Sequence, residues 1–160
     1  MRKRIIDQFT RDIPFPASDQ SVLNVEDLAE VELTSEDPAF PIESALRPHA
    51  GPGWRATKAG QQTIRLLFDE PQKISSINIV FQENELERTQ EFVLRWSSDR
   101  GKSFREIVRQ QYHFSPPVTA NESEDYAVDL NGVMTLELCI IPDISGGSSA
   151  RASLAQLRLA

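Results

Sequence analysis

Residues 62–81 read QTIRLLFDEPQKISSINIVF, and this stretch decides the fold. Ile64, Leu66 and Phe68 fall on alternate positions, the period of a strand with one buried face. Pro71 lacks the N–H that a ladder needs, so a strand is expected to end at Asp69–Pro71. A second is expected from Lys73 to Gln82, with Ile77, Ile79 and Phe81 sharing its buried face. Strands set end to end, without helical periodicity, mark an all-β chain.

The same pattern runs downstream. Phe92, Leu94 and Trp96 alternate in QEFVLRWSSD, and SDRGKSF turns the chain, since Asp99 can bond its own backbone and Gly101 supplies positive φ. The return strand carries Phe104 and Ile107, then Val108, Gln110, Tyr112 and Phe114. Its change of parity between Glu106 and Val108 predicts a bulge. After the polar connection SPPVTANESED (115–125), Tyr126, Val128 and Leu130 form a short strand. Asn131-Gly132 then predicts a two-residue hairpin, with Met134, Leu136, Leu138 and Ile140 returning. The Gly/Ser loop PDISGGSS (142–149) leads to one closing strand from about Ala150 to Leu159.

Upstream the signals are softer. LAEVELTS (28–35) reads as a strand and PIESAL (41–46) as a turn of helix, while RPHAGPGWRATKAG (47–60) reads as a long Gly/Pro loop. Residues 1–28 are expected to form an arm, or an extra strand or helix, before a single domain over 29–160.

Composition narrows the function classes. The net charge is −7, with acidic runs ENELE (83–87) and NESEDY (121–126), so the average field repels polyphosphate and anionic lipid. Cys139 is alone, which excludes an intrachain disulfide framework and fits a reducing compartment; its place in LELCII predicts a buried thiol. MRKRIIDQF lacks the apolar run of a signal peptide, so cytoplasmic residence is the expectation.

Four blocks, GPGWRA (51–56), residues 62–81, FVLRWSSDRGKSFREI (92–107) and LELCIIPDISGGSSARASLAQLRLA (136–160), resemble the galactose-binding-like jelly roll. That is the fold of discoidin and coagulation-factor five/eight type C domains and of many carbohydrate-binding modules. The resemblance implies an all-β, eight-stranded antiparallel jelly-roll β-sandwich with ligands at loops on one end. GWRATKAGQQTIRLLFDEPQKISSINI (53–79) is also similar to a block in the amino-terminal domain of a DNA single-strand-break repair scaffold, but DNA binding would need concentrated Lys and Arg.

No catalytic constellation is present in the sequence. RGKS (100–103) echoes a phosphate loop, but Trp96 stands where its first glycine belongs. There is no G-x-S-x-G, no H-E-x-x-H and no cysteine pair, and His49 and His113 are the only histidines. The chain therefore reads as a binding module and not an enzyme, with no cofactor. Candidate ligand residues are His49, Trp54 and Arg55 in the long loop and Glu85 and Arg88 in the acidic one. An aromatic face stacks on a pyranose, and charged side chains take hydroxyls in pairs. The favoured alternative for Trp54 is a plug in the end of the sandwich. Asp37 and Asp99 are the candidates for a structural calcium ion that modules of this fold often carry. The partner is expected to be carbohydrate; the alternative is a protein, with the 1–28 arm pairing with an edge or swapping between two subunits of a dimer.

Overall fold

The computed structural model of the chain describes residues 22–47, 51–146 and 149–160. Its elements in order are α1 (Val25–Leu28), β1 (Ala29–Leu33), α2 (Glu43–Leu46), β2 (Trp54–Ala59) and β3 (Gln62–Gln82). They continue as β4 (Arg88–Ser97), β5 (Arg105–Phe114), β6 (Asn121–Ile141), β7 (Arg151–Leu154) and β8 (Gln156–Leu159). No helix among the described residues is long and apolar enough to cross a membrane.

Strands β3 and β6 run antiparallel over almost their whole lengths and form the spine. The first half of β3 is flanked by β1 and the second half of β6, and β6 continues the layer to β4 and β5. The second half of β3 is flanked by β8 and the first half of β6. Each spine strand thus crosses from one layer of the sandwich to the other.

That crossing corrects two expectations. Pro71 does not end a strand; it lies where the β3–β6 register slips between Leu67 and Ser76, a bulged bend that needs no N–H from it. Opposite, Asn131-Gly132 is not a hairpin turn. Gly132 takes φ 76° inside β6, between Leu130, which pairs with Ile74, and Val133, which pairs with Gln72. The positive φ read from Asn-Gly is real, but both flanks find partners on β3, so the glycine makes a bulge. The other predicted bulge is present: Leu94 pairs with Val108 and Arg95 with Glu106, which leaves Ile107 over.

Two further expectations change. WRATKA is a strand, not loop: β2 pairs with β7. The closing strand is two, because burial passes from Ala152 and Leu154 to Leu157 and Leu159, and the parity changes at Ala155. There the Ala155 N–H bonds Val80 O, and the chain turns from β2 to β3. Residues 22–28, read with the arm, pack on the sandwich through buried Val25, and Leu23 N–H bonds Leu159 O at 2.7 Å.

Phe68, Phe81, Phe92, Phe114 and the aliphatic residues of β3, β4, β6 and β8 fill the space between the layers. Phe81 and Phe92 meet at 5.0 Å between ring centroids. Burying each such side chain stabilises the fold by roughly 1.5–3 kcal/mol. Along one side, between β5 and the first half of β6, the lining is polar. Gln110 Nε2 donates to Glu122 at 3.2 Å and to Glu124 at 2.7 Å, and the Tyr126 hydroxyl donates to Gln110 Oε1. Glu122 is only 1% exposed and its Oε1 has no partner among the described residues. Burial and the neighbouring Glu124 push its carboxyl up to about 7. Cys139 is half-buried, not buried, and accepts a hydrogen bond from Gln61 Nε2 at 3.0 Å.

Candidate functional site

A cleft of about 410 Å³ opens at one end of the sandwich, between the loop that follows β3 and the β2–β7 ribbon. Arg55 and Arg151 contribute from the ribbon, Asn84, Glu85 and Leu86 from the loop. Its size lies within the range of small-molecule sites.

The loop is held by Arg88. This residue is 3% exposed; its Nε donates to Glu83 Oε1 at 2.6 Å, and its NH1 donates to Gln90 Oε1 and Pro142 O. The guanidinium also lies 4.8 Å over the ring of buried Phe114. Burial opposes ionisation of Glu83, but hydrogen bonds from Arg88 and from the Glu85 and Leu86 N–H groups outweigh it and hold the carboxyl below its ordinary value. Glu83 thereby caps its own loop and presents Asn84, Glu85 and Leu86 to the cleft, with Leu86 44% exposed.

Arg55 is placed by a turn upstream. Asp37 Oδ1 accepts from Ala39 N–H and Asp37 O from Phe40 N–H; Arg55 N–H bonds Phe40 O and Arg55 O accepts from Asp37 N–H. The turn thus sets the Phe40 ring 4.7 Å beneath the Arg55 guanidinium. Gly53 permits the ribbon to close. At φ +93° its backbone passes so near β7 that a Cβ would stand 2.4 Å from Leu154 O.

Solved structures with this architecture include carbohydrate-binding modules. The family 32 module from Clostridium perfringens NanJ, in complex with galactose, aligns with 87% of this chain and 97% of its own at 14% identity and TM-score 0.62. Module CBM32-3 from a family 31 glycoside hydrolase of the same organism aligns at 16% identity and TM-score 0.63, covering 89% of this chain and 96% of its own. A pectin-binding module covers 82% of this chain and 89% of its own at 18% identity and TM-score 0.56. The chain has the galactose-binding-like, discoidin-type jelly-roll fold. No family model matches it, and no curated protein matches it in sequence.

In this jelly roll the residues read from the sequence separate. Arg55 and Glu85 face each other's side of the cleft. Trp54 is no platform: it is 1% exposed, packs in the core and donates Nε1–H to Ser35 O at 3.1 Å. Trp54 and Ala56 alternate inward on β2, and this turns Arg55 outward. Arg88 is likewise no ligand group, because its charge is spent beneath the loop. His49 lies outside the described residues, as does most of the arm, up to residue 21.

The two calcium candidates, Asp37 and Asp99, are each engaged in a turn. Asp37 closes the turn that carries Phe40. Asp99 accepts from both Ser97 and Ser103, which stabilise its ionised form far below the usual carboxylate range and close the β4–β5 hairpin. Among the described residues no His, Cys, Asp or Glu cluster is suited to a metal.

Sequence reasoning missed Arg151, Phe40 and Leu86. Arg151 alone left a signal, standing one residue before inward-facing Ala152 and so on the opposite face of its strand.

Proposed function

We propose that this chain is a non-catalytic carbohydrate-binding module whose ligand lies in the cleft between the 83–87 loop and the β2–β7 ribbon. The observation that carries this is the mixture of groups gathered there. Glu85 and Asn84 accept or exchange hydrogen bonds with vicinal hydroxyls, and the two arginines donate in pairs. Exposed Leu86 offers an apolar surface to ring C–H groups. Among the described residues the cleft has the Glu85 carboxylate but no second one poised beside it as an acid–base partner, since Glu83 is tied to Arg88. Structures of the same fold hold galactose and 4,5-unsaturated mannuronic acid, which supports the reading.

The test is calorimetric titration of the intact chain with a panel of neutral and acidic oligosaccharides. Asn84→Ala and Glu85→Ala should each weaken a binding saccharide by about tenfold, the loss of one charged or bidentate contact. Absence of binding across the panel, or binding that both variants leave untouched, removes the cleft as a saccharide site.

A further inference from the structure

Arg55 and Arg151 stand on one face of the β2–β7 ribbon. Trp54 and Ala56 on β2 and Ala152 and Leu154 on β7 are buried, so Arg55, Arg151 and Ser153 point outward together. Arg55 pairs directly with Ser153, and Arg151 lies two positions from Ser153 on the same strand. Arg151 itself pairs with Ala59 beyond a register shift in β2, but both arginines line the same cleft, and two side chains as long as these can converge on one anion there.

Elsewhere on the sandwich Arg47 is answered by Glu26, Arg65 and Arg95 by Glu137, and Arg109 by Glu91 and Glu106, while Arg100, Arg105 and Arg158 make no ion pair among the described residues and line no part of the cleft. Arg55 and Arg151 meet no carboxylate within ion-pair distance among the described residues. With Glu83 neutralised by Arg88, the cleft sets two guanidiniums against one free carboxylate, Glu85, on a chain of net charge −7. A local reversal of sign at a concave site is the footprint of an anionic ligand.

Resting on the carbohydrate reading, we infer that the cleft selects an acidic saccharide, a uronic acid residue whose carboxylate sits between Arg55 and Arg151. The flat fork of a guanidinium matches a carboxylate with two parallel hydrogen bonds. Glu85 and Asn84 then take ring hydroxyls, and Leu86 covers a C–H face. Inorganic phosphate suits the site less, because it brings no apolar face to Leu86 and its second charge meets Glu85.

The experiment titrates the intact chain with oligogalacturonate and oligomannuronate, with their methyl esters, and with a neutral galacto-oligosaccharide, at low and high salt. An acid should bind at least about tenfold tighter than its ester and lose that advantage in salt. Arg55→Gln and Arg151→Gln should each abolish the preference, and Arg151→Lys should restore only part of it. Equal binding of acid and ester, or a preference that survives both glutamine variants, overturns the inference while leaving the carbohydrate reading standing. Displacement of the acid by equimolar inorganic phosphate overturns it in favour of a general anion site. Failure of every saccharide to bind overturns both readings together.

Discussion

The cleft beside Arg55 and the polar side wall at Glu122 differ in where each leaves charge relative to water. Arg55 and Arg151 stand exposed with no counter-ion among the described residues, which costs the fold little because water solvates them. Glu122 is enclosed with Glu124 beside it and no cation among the described residues facing it, so protonation, favoured up to about pH 7, removes its charge instead. Arg88 forms a third case between them: buried like Glu122, but supplied with Glu83, Gln90, Pro142 O and the Phe114 ring. An unanswered charge thus costs the fold little when exposed, and is a pH-dependent burden when buried.

Substitutions can break or sharpen this contrast, and the largest effect is expected where the end of the sandwich is plugged. Trp54→Ala should cost about 3–5 kcal/mol in urea unfolding, through lost burial and a cavity. A near-neutral result would put the ring in solvent and return it to the ligand site. Arg88→Ala should cost about 3 kcal/mol, because it strands Glu83 and releases the loop. If Arg88→Ala proved as mild as a surface change, its charge would be accessible after all.

Glu122→Gln should act in the opposite sense and only above a threshold pH. The folded carboxyl is raised to about 7 from 4.5, so its favourable contribution is full below about 4.5 and is lost as pH rises through 7. The variant should therefore be more stable than the parent at pH 8 by on the order of 2 kcal/mol, and equal to it near pH 4. Unfolding curves across that range decide the matter, and a pH-independent difference would place the carboxyl in water. Arg151→Ala should change stability by less than about 0.5 kcal/mol, as for other exposed side chains. A larger loss would show that Arg151 supports the ribbon and does not merely project from it.

The alternating blocks at Ile64–Phe68, Ile77–Phe81 and Phe92–Trp96 carried the fold, because a two-residue period reports which face is buried whatever the partner strand. Partnership itself was not legible. Pro71 and Asn131-Gly132 are local signals whose meaning depends on what lies across the sheet, and each became a bulge because the long strands pair with one another. The cleft was half legible for the same reason. Arg55 and Glu85 sit beside marked loop chemistry. Arg151 and Phe40 reach the cleft only through the β2–β7 pairing and the Asp37 turn, which join residues far apart in the chain.

The alternation of β2 and β7 has a consequence for how such a chain diversifies. Trp54, Ala56, Ala152 and Leu154 belong to the core, while Arg55, Arg151 and Ser153 interleave with them and touch none of it from within. Inheritance can therefore rewrite every second letter of the ribbon, and with it the chemistry of the cleft, while the letters between keep the architecture unchanged. In laboratory terms the outward set is a small library of independent positions on a fixed frame. Gly53 is a site at the mouth of that ribbon where the frame forbids any added side chain.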